Sequence, residues 1–156
     1  MSKKAISILM KVMIILLAVT GAACLMMTHR IVDYLLPGFS GVTHRMWIYS
    51  IYVCAMPCFL ALYPAWNISS NIAHNESFTL SSARNMQAIG WLMGFNTAAV
   101  LVMNTVWFLL GRSFFAFFIA VFLIVAGFFA ISVCAFSFAS LLRHAAVLQD
   151  QSDWTI

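Results

Sequence analysis

The chain has 156 residues, of which 64% are hydrophobic and 8% are charged, and its mean hydropathy is +1.00. A soluble domain carries roughly 25% charged residues and could not bury this much apolar surface at this length. The net charge of +4 comes from scattered basic residues, of which only Lys3 and Lys4 are adjacent, and this argues against a direct nucleic-acid partner. The composition predicts an integral membrane protein with a single domain, residues 1–156.

Four apolar segments are long enough to cross the ~30 Å hydrocarbon layer at ~1.5 Å per helical residue. They predict an all-α fold, a four-helix transmembrane bundle. The expected spans are residues 5–27, 46–66, 89–110 and 114–142. The first span resembles the apolar core of a secretory signal, but its apolar run continues past Cys24, which favours a retained helix.

Two connections carry their own structural signals. Apolar residues such as Ile31 and Tyr34 recur at helical spacing in residues 28–45, which predicts a short interfacial helix. Inside the second span, Pro57 predicts a kink because proline removes a backbone hydrogen bond, and Pro64 is expected to help end the span.

The loops set the expected topology. The turn around Arg112 is so short that the third and fourth spans should form an antiparallel hairpin. Lys3, Lys4 and Lys11 are the densest cationic cluster, so the positive-inside rule predicts a cytoplasmic N-terminus. Four crossings then make the C-terminus cytoplasmic as well. The polar loop 67–88 and the tail 143–156 would lie on that side.

Within loop 67–88, Thr79 is expected to act as the N-cap of a helix that begins near Leu80. This helix would run on into the third span.

Polar and small residues inside the third span are the sharper intramembrane signals. Asn96 and Asn104 sit in mid-span, where an amide needs partners. They predict either an interhelical hydrogen bond, worth about 0.6–2 kcal/mol, or a polar path or binding pocket. Gly90 and Gly94 are four residues apart, a spacing that lets two helices approach closely.

Catalytic and metal-binding signals are weak. The four carboxylates all fall in predicted loops or the tail, and no nucleophile, phosphate-loop or metalloprotease motif occurs, so we expect no enzyme, no cofactor and no metal. His29 and His44 fall on the same predicted side, which leaves bis-histidine heme ligation geometrically open. Solvated loop histidines are the simpler interpretation.

Two segments resemble a known family. Residues 68–90 read ISSNIAHNESFTLSSARNMQAIG, and residues 149–156 read QDQSDWTI. The first resembles the loop of the bacterial family called domain of unknown function 2975, with a short helix, a small-residue turn and a helix that carries an arginine. The second resembles that family's acidic C-terminal ending. Ser77 and Trp154 stand where that family usually has proline and leucine. The resemblance implies a multi-pass protein of the bacterial plasma membrane.

Genes of that family often neighbour a small helix-turn-helix regulator, so the resemblance also implies a regulatory partnership. The leading hypothesis is a non-enzymatic regulatory or accessory protein that binds a membrane or regulatory partner through its cytoplasmic loop and tail. The candidate contact residues are Phe78, Arg84, Asp153, Trp154 and Ile156.

Two alternatives to this hypothesis remain open. The first is an oligomeric transporter or channel subunit, such as a homo-oligomer, suggested by the glycine pair and the two asparagines. The second is an immunity or stress-protection protein of the membrane. The lipid bilayer is an expected partner under every hypothesis.

Overall fold

The computed structural model describes residues 3–35, 41–73 and 79–153, and in these ranges it is almost entirely helical and has no strand. The helices are α1 (Lys3–Met26), α2 (Thr28–Leu35), α3 (Val42–Ala73), α4 (Leu80–Leu109) and α5 (Phe115–Asp153). All except the short α2 are long and apolar enough to cross a membrane. The all-α prediction with four spanning helices is confirmed, and α2 is the short helix expected between the first two spans.

The α1–α3 interface is antiparallel and is held by polar contacts near the two ends of α1. The Ser7 hydroxyl donates to the Ser69 carbonyl (2.7 Å), and the Ser69 hydroxyl donates to the Ser7 carbonyl (2.9 Å). At the other end of α1, the Tyr52 hydroxyl donates to the Leu25 carbonyl (3.2 Å). Because serine is small, the reciprocal pair also lets the two backbones come close together.

The other long helices are also antiparallel to their neighbours in the chain. The Asn71 amide of α3 donates to the Ser82 hydroxyl of α4 (3.1 Å). Between α4 and α5, the Asn104 amide donates to the Phe118 carbonyl (3.2 Å), and the Ser132 hydroxyl donates to the Gly90 carbonyl (2.9 Å). The pairing of 104 with 118 and of 90 with 132 confirms the predicted antiparallel hairpin.

The long helices therefore pack in chain order, α1 on α3, α3 on α4 and α4 on α5. Among the described residues, no Cα atom of α1 lies within 8 Å of one in α4 or α5. Most of α1 consequently exposes apolar side chains, Ile8 and Val19 among them. A bilayer can cover such a surface, because hydrocarbon solvates an apolar side chain as well as a protein interior does.

Two expectations about helix ends need correction. Pro64 does not end its helix, since α3 continues through residues 67–73 of the predicted loop to Ala73. The predicted tail 143–156 is helical as far as Asp153. Hydropathy marks where hydrocarbon ends, whereas a helix that already has a nucleus propagates into the interface at little cost.

The predicted N-cap is confirmed. Thr79 has extended backbone angles, and its hydroxyl accepts a hydrogen bond from the Ser82 amide (3.2 Å), so α4 begins at Leu80. This bond satisfies one of the backbone N–H groups that the first turn of a helix leaves without an intrahelical partner.

Replacing Ser69 by alanine should destabilise the folded helices by about 0.6–2 kcal/mol, because it removes one of the two reciprocal α1–α3 hydrogen bonds. Unfolding in mixed micelles with increasing denaturing detergent would measure this. Ser137→Ala is the matched control, since the Ser137 hydroxyl is exposed and donates to the Val133 carbonyl of its own helix. Equal stability of the two variants would contradict the structural role of Ser69.

Candidate functional site

The two mid-span asparagines are buried at helix contacts, with 1% of Asn96 and 3% of Asn104 exposed. The Asn96 amide donates to the Cys58 sulfur of α3 (3.4 Å), and the Asn104 amide donates to the Phe118 carbonyl of α5 (3.2 Å). In the part of the chain that the structure describes, neither side-chain oxygen has a hydrogen-bond partner. Each asparagine thus joins two helices through its NH₂ group, while its carbonyl can still accept a bond.

Gly90 and Gly94 face α5 of the same chain. A Cβ atom added to Gly90 would lie 3.2 Å from the Phe136 ring, and one added to Gly94 would lie 3.1 Å from the Ser132 hydroxyl. Both distances are tighter than ordinary van der Waals contact. The glycine pair therefore serves the α4–α5 hairpin, where it lets the Ser132 hydroxyl reach the Gly90 carbonyl.

A groove of about 870 Å³ opens between the first turns of α4 and residues 136–148 of α5. Its walls combine apolar residues with two arginines and a few other polar groups. The lining residues are Leu80, Ala83, Arg84, Gln87, Phe136, Ala139, Ser140, Arg143, His144, Val147 and Leu148. We call this cavity the terminal groove, because it lies at the same end of the molecule as the N- and C-terminal ends of the described chain.

The tryptophans place the terminal groove relative to the bilayer. Trp47 and Trp107 lie against each other at one end of the molecule, with ring centroids 6.0 Å apart. Trp66 and Trp91 lie 19 and 16 residues along their helices, about 28 and 24 Å away at the helical rise. Aromatic residues prefer the two interfaces of a bilayer, and this spacing matches its hydrocarbon thickness. Arg84 lies seven residues, about 10 Å, outside the Trp91 level.

The register of the hairpin brings the two arginines of the groove to one level. Trp91 of α4 meets Phe136 of α5 edge to face, with ring centroids 5.4 Å apart. Arg84 stands seven residues before Trp91, and Arg143 stands seven residues after Phe136. Because the helices are antiparallel, both steps lead in the same direction, away from the membrane centre. Two cations 59 positions apart in the sequence therefore line one groove.

Asp33 is the one carboxylate whose side chain the structure describes, and its Oδ1 lies 3.2 Å from His44 Nδ1, at the opposite end of the molecule. In the terminal groove, His144 Nδ1 lies 2.8 Å from the Ser140 carbonyl of its own helix. The groove thus combines two guanidinium groups with apolar side chains, a combination suited to an anion with an apolar part.

At the opposite end of the molecule, side chains of α2, α3 and the turn after α4 contact one another. The Trp47 indole donates to the Arg112 carbonyl (3.1 Å), and the Arg112 guanidinium donates to the Thr43 hydroxyl. The His29 and His44 rings stack with centroids 6.2 Å apart. Within the described residues, no group of three or more His, Cys, Asp or Glu side chains could hold a metal ion.

The candidate contact residues separate into three groups. Arg84 is exposed and lines the terminal groove. Asp153 is the last residue of α5, and its side chain is not among those described. Phe78, Trp154 and Ile156 lie outside the described residues. Sequence reasoning missed Arg143 as the neighbour of Arg84, since their proximity depends on the α4–α5 register.

These features define a multi-pass α-helical membrane protein. A family profile described as "Protein of unknown function (DUF2975)" matches residues 32–156, and the chain belongs to this family. The match confirms the resemblance drawn from residues 68–90 and 149–156. Searches of curated proteins and of solved structures gave no significant match.

Replacing Gly90 by valine should destabilise the hairpin by about 1–3 kcal/mol, because the new side chain enters space that the Phe136 ring occupies. Gly127→Val is the control, as a Cβ atom at Gly127 meets nothing within 4 Å. Detergent-denaturation curves of both variants would test this. Equal loss in both would show that backbone propensity, and not the α4–α5 contact, explains the glycine.

Proposed function

We propose that this chain is a non-enzymatic regulatory or accessory protein of the bacterial plasma membrane. It binds a membrane or regulatory protein partner on the cytoplasmic side, through the α3–α4 connection and the end of α5. The observation that carries the proposal is the reach of α5. From Phe136, at the Trp91 level, α5 continues for 17 residues, about 25 Å, to Asp153.

The projecting part of α5 exposes apolar side chains beyond the hydrocarbon layer. Leu141, Val147 and Leu148 are 64%, 47% and 66% exposed. Val147 lies 11 residues beyond Phe136, at the level where α4 begins at Leu80, so the turns of α5 after this point extend past α4. Exposed apolar side chains outside the hydrocarbon layer are typical of protein–protein contacts.

The charge distribution supports a cytoplasmic location for this end. The end that holds the start of α1 and the end of α5 carries five basic residues, Lys3, Lys4, Lys11, Arg84 and Arg143. The opposite end carries three, Arg30, Arg45 and Arg112. The positive-inside rule assigns the richer end to the cytoplasm.

Photo-crosslinking in native membranes tests the proposal. A photoreactive residue at Leu148 should capture a discrete protein partner, and one at Leu123, which is 70% exposed within the membrane span, should capture lipid only. Deleting residues 149–156 should abolish the capture at position 148 while leaving the amount of protein in the membrane unchanged. Capture of the same proteins at both positions, or undiminished capture after the deletion, would contradict the proposed surface.

A second candidate function, an oligomeric transporter or channel subunit, is favoured by one observation. The side-chain oxygens of Asn96 and Asn104 are buried and lack hydrogen-bond partners among the described residues. Such oxygens could accept hydrogen bonds from a passing solute or from a second copy of the chain.

Reconstitution in liposomes separates the two candidate functions. For a transporter, solute flux should fall at least tenfold in an Asn96→Leu, Asn104→Leu double variant. For an accessory protein, the purified chain should show no flux, and the same variant should retain its crosslinked partner. A monomer in lipid without flux of ions or small solutes would eliminate the transporter.

A further inference from the structure

We infer that the terminal groove binds an anionic glycerophospholipid, with its phosphate held between Arg84 and Arg143. The inference concerns a lipid ligand of this chain alone and does not rest on the proposed protein partner. It is drawn from the charge, the depth and the layering of the groove.

The charge of the groove suits an anion. Arg84 and Arg143 stand at one level on adjoining helices and line the same cavity. Two like charges on adjacent helices repel each other. A phosphate between them removes the repulsion and accepts paired hydrogen bonds from each planar guanidinium, a geometry that arginine favours over lysine.

The depth of the groove matches the headgroup layer. The polar layer on each side of the hydrocarbon is roughly 5–8 Å thick, and the backbones of both arginines lie about 10 Å beyond the Trp91 level. The long stem of an arginine side chain can bridge the remaining few ångströms while it covers apolar surface. Basic pockets between spanning helices at this depth are a common way for proteins to hold anionic lipid headgroups.

From Phe136 out to the arginines, the lining residues follow the order of the parts of a phospholipid, and Leu80, Val147 and Leu148 line the groove further out. Phe136 lies at the Trp91 level, at the hydrocarbon boundary, and suits the start of an acyl chain. Gln87 and Ser140 form the next layer, four residues outside Trp91 and Phe136, where neutral hydrogen-bonding groups suit the glycerol esters. The arginines come three residues further out, at the level expected for the phosphate.

This order distinguishes a lipid from a free anion. A soluble phosphate would need the arginines but would gain nothing from Phe136 and Ala139, which form the apolar floor of the same cavity. The volume of about 870 Å³ also far exceeds that of one phosphate group. A lipid that carries both a charged headgroup and an apolar chain uses both the arginines and the apolar floor.

Native mass spectrometry of the full chain in detergent tests the site, with phosphatidylglycerol and phosphatidylcholine as probes. The unmodified chain should bind one phosphatidylglycerol at least tenfold more tightly than phosphatidylcholine. Arg84→Gln, Arg143→Gln should lose this preference, because the headgroup loses both charge partners. Arg84→Lys, Arg143→Lys should keep part of it. Inorganic phosphate at millimolar concentration should not displace the lipid.

The matched control is Arg30→Gln, Arg45→Gln, which removes two cations at the opposite end of the molecule and should keep the preference. Melting curves serve as a second readout, since phosphatidylglycerol should raise the Tm of the unmodified chain but not of the Arg84→Gln, Arg143→Gln variant. The lipid-free Tm of both should agree, which excludes misfolding as the cause.

Three results would overturn the inference. Undiminished phosphatidylglycerol preference in Arg84→Gln, Arg143→Gln would show that the arginines do not bind the lipid. Loss of preference in the control variant would show that the preference depends on the net charge of the protein and not on the groove. A large gain in lipid binding on Asp150→Asn, Asp153→Asn would show that the chain's own acidic end occupies the groove. None of these measurements contains a protein partner, so their failure and that of the proposed function are separate outcomes.

Discussion

Hydrocarbon offers no water to a backbone N–H or C=O, so each spanning segment must satisfy its own backbone as a helix. The same medium removes the hydrophobic drive that would otherwise pull these helices together, because an apolar side chain is as well solvated by lipid as by protein. What remains to hold the helices in a defined register is close approach and a small number of polar contacts. The reciprocal Ser7–Ser69 bonds and the Ser132–Gly90 bond are contacts of this kind.

The α4–α5 hairpin shows how one such register determines chemistry elsewhere. Gly90 and Gly94 let α5 approach, and the Ser132 hydroxyl then reaches the Gly90 carbonyl. Once that register is set, every residue further out on α4 has a defined neighbour on α5, and Arg84 meets the level of Arg143. A shift of one helical turn, about 5.4 Å, would separate the two arginines, so that they would no longer stand at one level of the groove. The packing of glycines within the bilayer thus controls the arrangement of charges outside it.

Sequence patterns predicted the parts of this structure that depend on composition or on local contacts. Spanning helices follow from apolar length, α2 from the apolar spacing around Ile31 and Tyr34, and the start of α4 from the capping preference of Thr79. Patterns failed where a local preference was overruled. Pro64 is a poor helix residue, yet α3 runs past it to Ala73, where its outer turns pack against α1 and α4 through Ser69 and Asn71.

The candidate site also has one part that the sequence predicted and one part that it did not. Arg84 could be singled out because it is a lone cation in a patterned polar segment. Arg143 could not be assigned to it, since nothing local links two residues 59 positions apart. By itself, the sequence determined that the chain crosses a membrane four times as helices and that it belongs to its family, because both depend on residue types and their order along the chain. Only the tertiary structure decided which residues meet. In a bilayer the register of neighbouring helices depends on a few side-chain contacts, and those contacts exist only once the helices are packed.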